Sequence, residues 1–208
     1  MKSVFVAGTD TDAGKTVVAA ALVLALGARY WKPIQSGLRE APGGDTGVVA
    51  RLTGRRPGDF PPPVYAFMAA LSPDQAAAEE GLGLDPGRIV LPEGPLVVEG
   101  AGGLLVPLDG GTLMIDLAAR LGLPVVLAAR TGLGTLNHTL LSLEALHRRG
   151  LPVAGVVFSG ADHPRNIETI ARLGGAPILG RIPWLDPLTP EALAGAAAGL
   201  DLSSLGGR

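Results

Sequence analysis

Gly8-Thr9-Asp10-Thr11-Asp12-Ala13-Gly14-Lys15-Thr16 follows the apolar run Val4-Phe5-Val6-Ala7 and precedes the helix-forming run from Val17 to Leu26. Strand, glycine-bounded loop and helix in that order read as a phosphate loop. An anion needs donors without bulk: glycines let a loop turn its backbone N–H groups inward, and the following helix adds its positive N-terminal end. In such a loop Lys15 reaches the terminal phosphates and the Thr16 hydroxyl a Mg²⁺ ion. Gly8 and Gly14 enclose five residues, one more than the strict Walker A spacing, so this is a longer variant. A ligand-free strand-to-helix turn is the alternative, and it makes Gly14-Lys15-Thr16 at a helix start a coincidence.

Outward from the loop, strands and helices alternate. Residues 2–8 read as the first strand and 15–27 as its helix. Residues 28–32 make a short second strand closed by Pro33, which cannot donate to a ladder. A short helix over 45–52 follows, then a proline-rich loop over 57–63. Ser72-Pro73-Asp74 caps an alanine-rich helix that runs to Glu80, and 81–95 is loop by its Gly and Pro content. The remainder reads as strand 96–99, the glycine run 100–103, helix 113–121, strand 124–129, helix 135–149, strand 153–158, helix 164–173, strand 177–182 and helix 190–198. Strands apolar throughout are covered on both faces, and helices between them imply parallel crossovers. The expectation is a single doubly wound α/β domain over 1–208: a mostly parallel sheet with helices on both faces and ligands at the carboxyl ends of the strands.

With 208 residues and 47% hydrophobic content the chain can bury a full core. A net charge of −2 gives no basic footprint for nucleic acid. No apolar stretch is long enough to span a bilayer and no signal-peptide pattern opens the chain, so the expected location is the cytoplasm, without membrane partners. The absence of cysteine excludes disulfides, thiolate metal sites and thiol catalysis. Lysine is the informative residue. Only Lys2, Lys15 and Lys32 occur beside fourteen arginines, which suggests that the loop and the end of the second strand need a compact ammonium.

Polar residues at strand ends are the site candidates. Lys32-Pro33-Ile34-Gln35-Ser36-Gly37 leaves the second strand. Asp45 either caps its helix or serves the site. Glu99, a carboxylate ending a Leu-Val-Val strand before four glycine-rich positions, stands where phosphate-handling enzymes hold Mg²⁺; orienting the glycine loop is its other reading. Thr131 to Asn137 holds glycines and donors at a helix start, suited to an anion or to plain capping by Thr135. His138, His147 and His163 read as surface or packing residues, and Trp184 as core.

Taken together, Gly8 to Thr11 with Gly14-Lys15-Thr16, Lys32-Pro33-Ile34 with Ser36-Gly37, Val98 to Gly103, Gly132 to His138, and Gly180 to Leu185 resemble dethiobiotin synthetase over nearly the whole chain. The resemblance implies an ATP- and Mg²⁺-dependent ligase of biotin biosynthesis that closes a cyclic urea from 7,8-diaminopelargonate and CO₂. It places Thr11, Lys15, Lys32 and Ser36 around the reacting carbamate and phosphates, with Thr16, Asp45 and Glu99 on Mg²⁺. Asp12, Ala13, Gly14 and Val17 join Lys15 and Thr16 on the nucleotide, and Ser159, Pro183, Trp184 and Leu185 lie near its base. Where the family commonly carries Asn, this chain has Ser159, which weakens the expectation of strict ATP preference. The resemblance further implies a homodimer in which Leu133, Gly134, Thr135, Leu136 and Asn137 bind substrate from the neighbouring subunit.

Two other classes share the loop type. A nucleotide switch acting through a protein partner commonly carries an early loop lysine, a basic or amphipathic tail, or cysteine metal ligands; Thr9, Asp10 and Thr11 hold the loop's early positions here. Amide-forming synthetases of large carboxylated cofactors usually add a glutaminase domain with a cysteine nucleophile, for which this chain has neither length nor cysteine.

Overall fold

The computed structural model describes residues 3–205; Lys2, where the first strand was expected to begin, and the tail from 206 to 208 lie outside the described residues. In chain order the elements are β1 (Val4–Gly8), α1 (Lys15–Leu26), β2 (Arg29–Trp31), β3 (Ile34–Gln35), α2 (Gly44–Thr53), β4 (Tyr65–Ala66) and α3 (Pro73–Glu79). Then come β5 (Leu96–Gly103), α4 (Met114–Leu121), β6 (Val125–Arg130), α5 (Thr135–Arg148), β7 (Val153–Ser159), α6 (Pro164–Leu173), β8 (Ile178–Ile182) and α7 (Pro190–Ala197).

Six strands form one parallel sheet in the order β2-β5-β1-β6-β7-β8. Strand periodicity explains why β1 has no polar face. Phe5 and Ala7 enter the core layer shared with α3, α4, α5 and α6, while Val4 and Val6 enter the opposite layer with α1, α2 and α7. Each fully buried aliphatic or aromatic side chain contributes about 1.5–3 kcal/mol. The expected doubly wound architecture is therefore the observed one, and the carboxyl ends of β1 and β5 open together at the phosphate loop. Among the described residues no helix is long and apolar enough to cross a membrane.

Four local features differ from expectation. β5 continues past Glu99 through Gly100 to Gly103, where the sequence suggested the strand would stop. A Cβ on Gly100 would stand 3.0 Å from the Phe5 ring, so the glycine lets β5 cross β1's aromatic side chain. β3 and β4 form a separate two-stranded parallel pair that pins the segment after Lys32 to a stretch 31 residues later. Single 3-10 turns, Pro57–Asp59 and Pro86–Arg88, punctuate the two regions expected as loop. Ser72 does occupy the cap position of α3 with proline next, but its hydroxyl donates to Asp74 Oδ1 and accepts from no helix N–H.

Candidate active site

Gly14 stands at the N-cap of α1 with φ +84°, a left-handed conformation that glycine adopts without steric cost. Lys15 is buried and runs back along the loop, its ammonium donating to Asp10 O at 2.8 Å and Thr11 O at 3.4 Å. A Cβ on Gly8 would meet Lys15 Nζ at 2.8 Å, so the opening glycine clears that path. Burial, then repulsion from Lys32, lowers the Lys15 pKa to about 8, against the opposing pull of Glu99, Asp45 and Asp10.

The second lysine meets different surroundings. Tyr30 pairs with Val97 and Trp31 with Val98, so Lys32 and Glu99 emerge side by side just beyond the ladder. Lys32 Nζ lies 2.9 Å from Glu99 Oε1, 2.7 Å from Asp45 Oδ2 and 3.0 Å from Gly100 O. Only 4% of Lys32 is exposed, which rules out the ordinary surface lysine that a strand-end position suggests. Burial opposes its charge, but Glu99 and Asp45 more than compensate and hold its pKa above the usual lysine value. Thr16 Oγ1 donates to Glu99 Oε1 at 3.0 Å, and Tyr30 Oη to Glu99 Oε2 at 2.9 Å. Burial and the Glu99 charge push the Tyr30 phenol well above its ordinary range, so it remains a donor. Gly43, not Asp45, takes the cap of α2; the Asp45 carboxylate turns to Lys32, and its N–H donates to Gln35 Oε1 at 2.9 Å.

Gly14, Lys15, Thr16, Lys32, Gln35, Asp45 and Glu99 line one cavity of about 700 Å³. Thr11, Lys15, Lys32 and Ser36 all face it, as do Thr16, Asp45 and Glu99. Asp12, Gly14 and Val17 border it, whereas Ala13 is buried under the loop. Gly37, Val106 and the segment Ala70 to Pro73 line it as well; the sequence marked Ser72-Pro73 only as a helix cap, and nothing local marks Ala70, Leu71 or Val106. Ser36 Oγ is buried and has no hydrogen-bond partner among the described residues. The donor set suits Mg²⁺: two carboxylates and a hydroxyl are hard oxygen ligands, and Mg²⁺ ordinarily takes one or two carboxylates and completes its shell with phosphates and water. Among the described residues no cluster of three or more His, Cys, Asp or Glu offers a richer metal cage.

Other expected residues lie elsewhere. Ser159 abuts Gly14, and its strand partner is Ile182, which sets Pro183 beside it. Trp184 is 82% exposed, overturning its reading as core: Pro183 follows the last residue of β8, and Leu185 packs against the core instead. Leu133 to Asn137 do not line the cavity. Leu133 is fully exposed and Asn137 exposed, but the buried Thr135 hydroxyl donates to Arg130 O and meets Thr139 Oγ1 at 3.2 Å. Thr135 is not the cap either, because Gly134 holds that position. His147 and His163 are exposed and His138 is partly buried, as expected for surface and packing residues.

A family model described as an AAA domain matches residues 2–192. ATP-dependent dethiobiotin synthetase BioD of Agrobacterium fabrum is 50% identical over 195 residues, covering 93% of this chain and 91% of that protein. The protein of the same name from Afipia carboxidovorans is 50% identical over 194 residues, with 92% and 91% covered. The biotin biosynthesis bifunctional protein BioCD of Bordetella avium is 53% identical over 194 residues, 92% of this chain, which spans 42% of that longer protein. Among solved structures, the MinC:MinD cell division protein complex of Aquifex aeolicus matches with TM-score 0.58 at 14% identity, covering 100% of this chain and 97% of that one. A ParA family ATPase from Chlorobium tepidum matches with TM-score 0.56 at 14% identity, covering 97% and 92%. Those two likenesses establish the fold alone. Half-identity across nine-tenths of both chains establishes more: this chain belongs to the ATP-dependent dethiobiotin synthetase family.

Proposed function

We propose that this chain, as one phosphate-loop domain over residues 1–208, is a cytoplasmic enzyme that makes dethiobiotin from 7,8-diaminopelargonate, CO₂ and ATP. The supporting observation is that two buried lysines, a buried glutamate and the unpartnered Ser36 hydroxyl share one cavity with the phosphate loop. One substrate amine adds to CO₂ and loses a proton to give a carbamate. A carbamate oxygen attacks the γ-phosphorus and expels ADP, forming a carbamic-phosphoric anhydride. The second amine then attacks the carbonyl carbon, closes the five-membered urea and expels inorganic phosphate, which carries away the proton the amine loses.

Negative charge gathers on carbamate and phosphoryl oxygens, so the residues needed are cations and donors, with no protein nucleophile. Lys15 leaves the carbonyls of Asp10 and Thr11 for the phosphates. Lys32 donates to the carbamate and transferring phosphoryl oxygens, and the Ser36 hydroxyl takes its missing partner from substrate. Loop N–H groups and the N-terminus of α1 hold the nucleotide phosphates. Thr16, Asp45 and Glu99 would hold Mg²⁺, which would further neutralise phosphate charge.

The same reading includes a homodimer with shared sites. The distal carboxylate of diaminopelargonate needs its own anion site, and the start of α5 offers backbone donors at Gly134, Leu136 and Asn137. The exposed Leu133 supports burial of this segment against a second copy. Thr135 contributes there by fixing the turn that aims those donors, since its N–H is given to Gly132 O and its hydroxyl is engaged internally. Phosphate release from ATP, measured with and without diaminopelargonate plus bicarbonate, tests the reaction. The additions are expected to stimulate release and yield dethiobiotin by mass spectrometry; release indifferent to them would overturn the proposal in favour of a switch ATPase.

A further inference from the structure

The Glu99 carboxylate divides its two oxygens between different neighbourhoods. Oε1 accepts from Thr16 Oγ1 and Lys32 Nζ on the cavity side, whereas Oε2 accepts from Tyr30 Oη, inside the core. Tyr30 is wholly buried and touches nothing in the cavity. Its ring is held edge-on by Phe60, with centroids 5.8 Å apart and planes 70° apart, and Arg55 lies 6.0 Å over the Phe60 ring. Rotation about the last torsion of a glutamate is soft, so the carboxylate plane is set mainly by its hydrogen bonds. Thr16 and Lys32 are the groups that ligand binding rearranges under the proposed function, which leaves the Tyr30 bond as the fixed one.

We propose that Tyr30 is a positioning residue of the metal-nucleotide site: by anchoring Glu99 Oε2 it keeps Oε1 turned to the Thr16 hydroxyl, where the metal bound with ATP is coordinated. The proposal rests on the assignment of Thr16 and Glu99 to the metal. Tyr30 acts through Glu99 and meets no substrate. Phe in its place keeps the ring and removes only the donor.

The test is calorimetric binding of adenylyl imidodiphosphate to wild-type and Tyr30→Phe protein, once with excess EDTA and once with Mg²⁺. Affinity in EDTA should be unchanged, while the extra affinity conferred by Mg²⁺ should shrink by about tenfold, the lower end of what loss of a ligand-orienting partner costs. The Mg²⁺ concentration giving half-maximal turnover should rise by a similar factor. An equal Mg²⁺ gain in the two proteins would overturn the proposal. So would loss of affinity in both conditions, or of a cooperative thermal melt, since either marks Tyr30 as a core residue only. Wild-type protein that gains affinity from Mg²⁺ but makes no dethiobiotin would instead overturn the assigned reaction and leave the Tyr30 comparison intact.

Discussion

Gly14 and Ser159 are in contact: a Cβ added to Gly14 would stand 2.7 Å from both Cβ and Oγ of Ser159. The end of β7 thus bears directly on the phosphate loop. Gly14→Ala forces a left-handed alanine, about 1–2 kcal/mol, and an overpacked contact, about 1–3 kcal/mol. A lowered melting temperature and weakened nucleotide binding are expected. A wild-type melt with wild-type affinity would mean that Ser159 gives way freely.

Ser159 also bears on the choice of base. One hydroxyl cannot reproduce the paired donor and acceptor of an amide, so kcat/KM for ATP, GTP and CTP should fall within about 100-fold of one another. Steady-state comparison decides it, and a much larger ATP preference would assign the reading to backbone groups near Pro183 to Leu185.

The two lysines should separate in stability though not in turnover. Lys15→Met and Lys32→Met each remove a cation facing developing charge and should cost about 100- to 1,000-fold in rate. Arginine should rescue poorly at either position, because a planar fork does not replace a point charge. Lys32→Met also strips a buried carboxylate of its counterion, a loss of about 3 kcal/mol, whereas the Lys15 charge is already disfavoured by burial. Thermal melts should show a large drop for Lys32→Met alone; equal melts would refute the distinction.

Lys15 imposes a pH dependence. Its pKa of about 8 in the folded chain lies below the ordinary 10.5, so the folded state gives up this proton first. The cost of the buried charge is full below about pH 8 and is relieved as pH rises toward 10.5, where this group's penalty on stability vanishes. Nucleotide capture runs the opposite way, since phosphate binding wants the ammonium. We expect kcat/KM for ATP to decline above about pH 8. A profile flat to pH 10 would show Lys15 protonated throughout.

Shared sites can be tested by mixing. Lys15→Ala protein and a variant inactivated at residues 133–137 are combined after subunit exchange. With shared sites, a mixed dimer carries one site with both lesions and one intact site, so activity reappears. With sites built within one chain every site keeps a lesion, and silence after confirmed exchange would sink the model.

The phosphate loop and the alternating elements were legible because both are written locally: glycine spacing, apolar runs and breakers within a few residues. Lys32 and Glu99 were legible as candidates from their strand-end positions, and Asp45 from the start of its helix and the resemblance. Their union came only from the resemblance, since it depends on β2 pairing with β5 and on α2 bringing Asp45 back to Lys32. Tyr30 was overlooked because an apolar strand accounts for it equally well, and Gln35 was quoted in the candidate stretch without a role. A signal existed for Tyr30: it precedes Lys32 by two residues, which is the same-face spacing of a strand. Trp184 misled because bulk and hydrophobicity pointed inward while Pro183 released the chain from the sheet.

β1 and β5 lie side by side with helices over both faces, and they carry the start of the phosphate loop and Glu99 out of the most enclosed part of the sheet. Elements of that kind open only with the whole molecule, unlike loops that fray by themselves. Heating should therefore leave the catalytic constellation assembled until the sheet itself comes apart, so that the temperature of inactivation and the temperature of global unfolding are the same temperature.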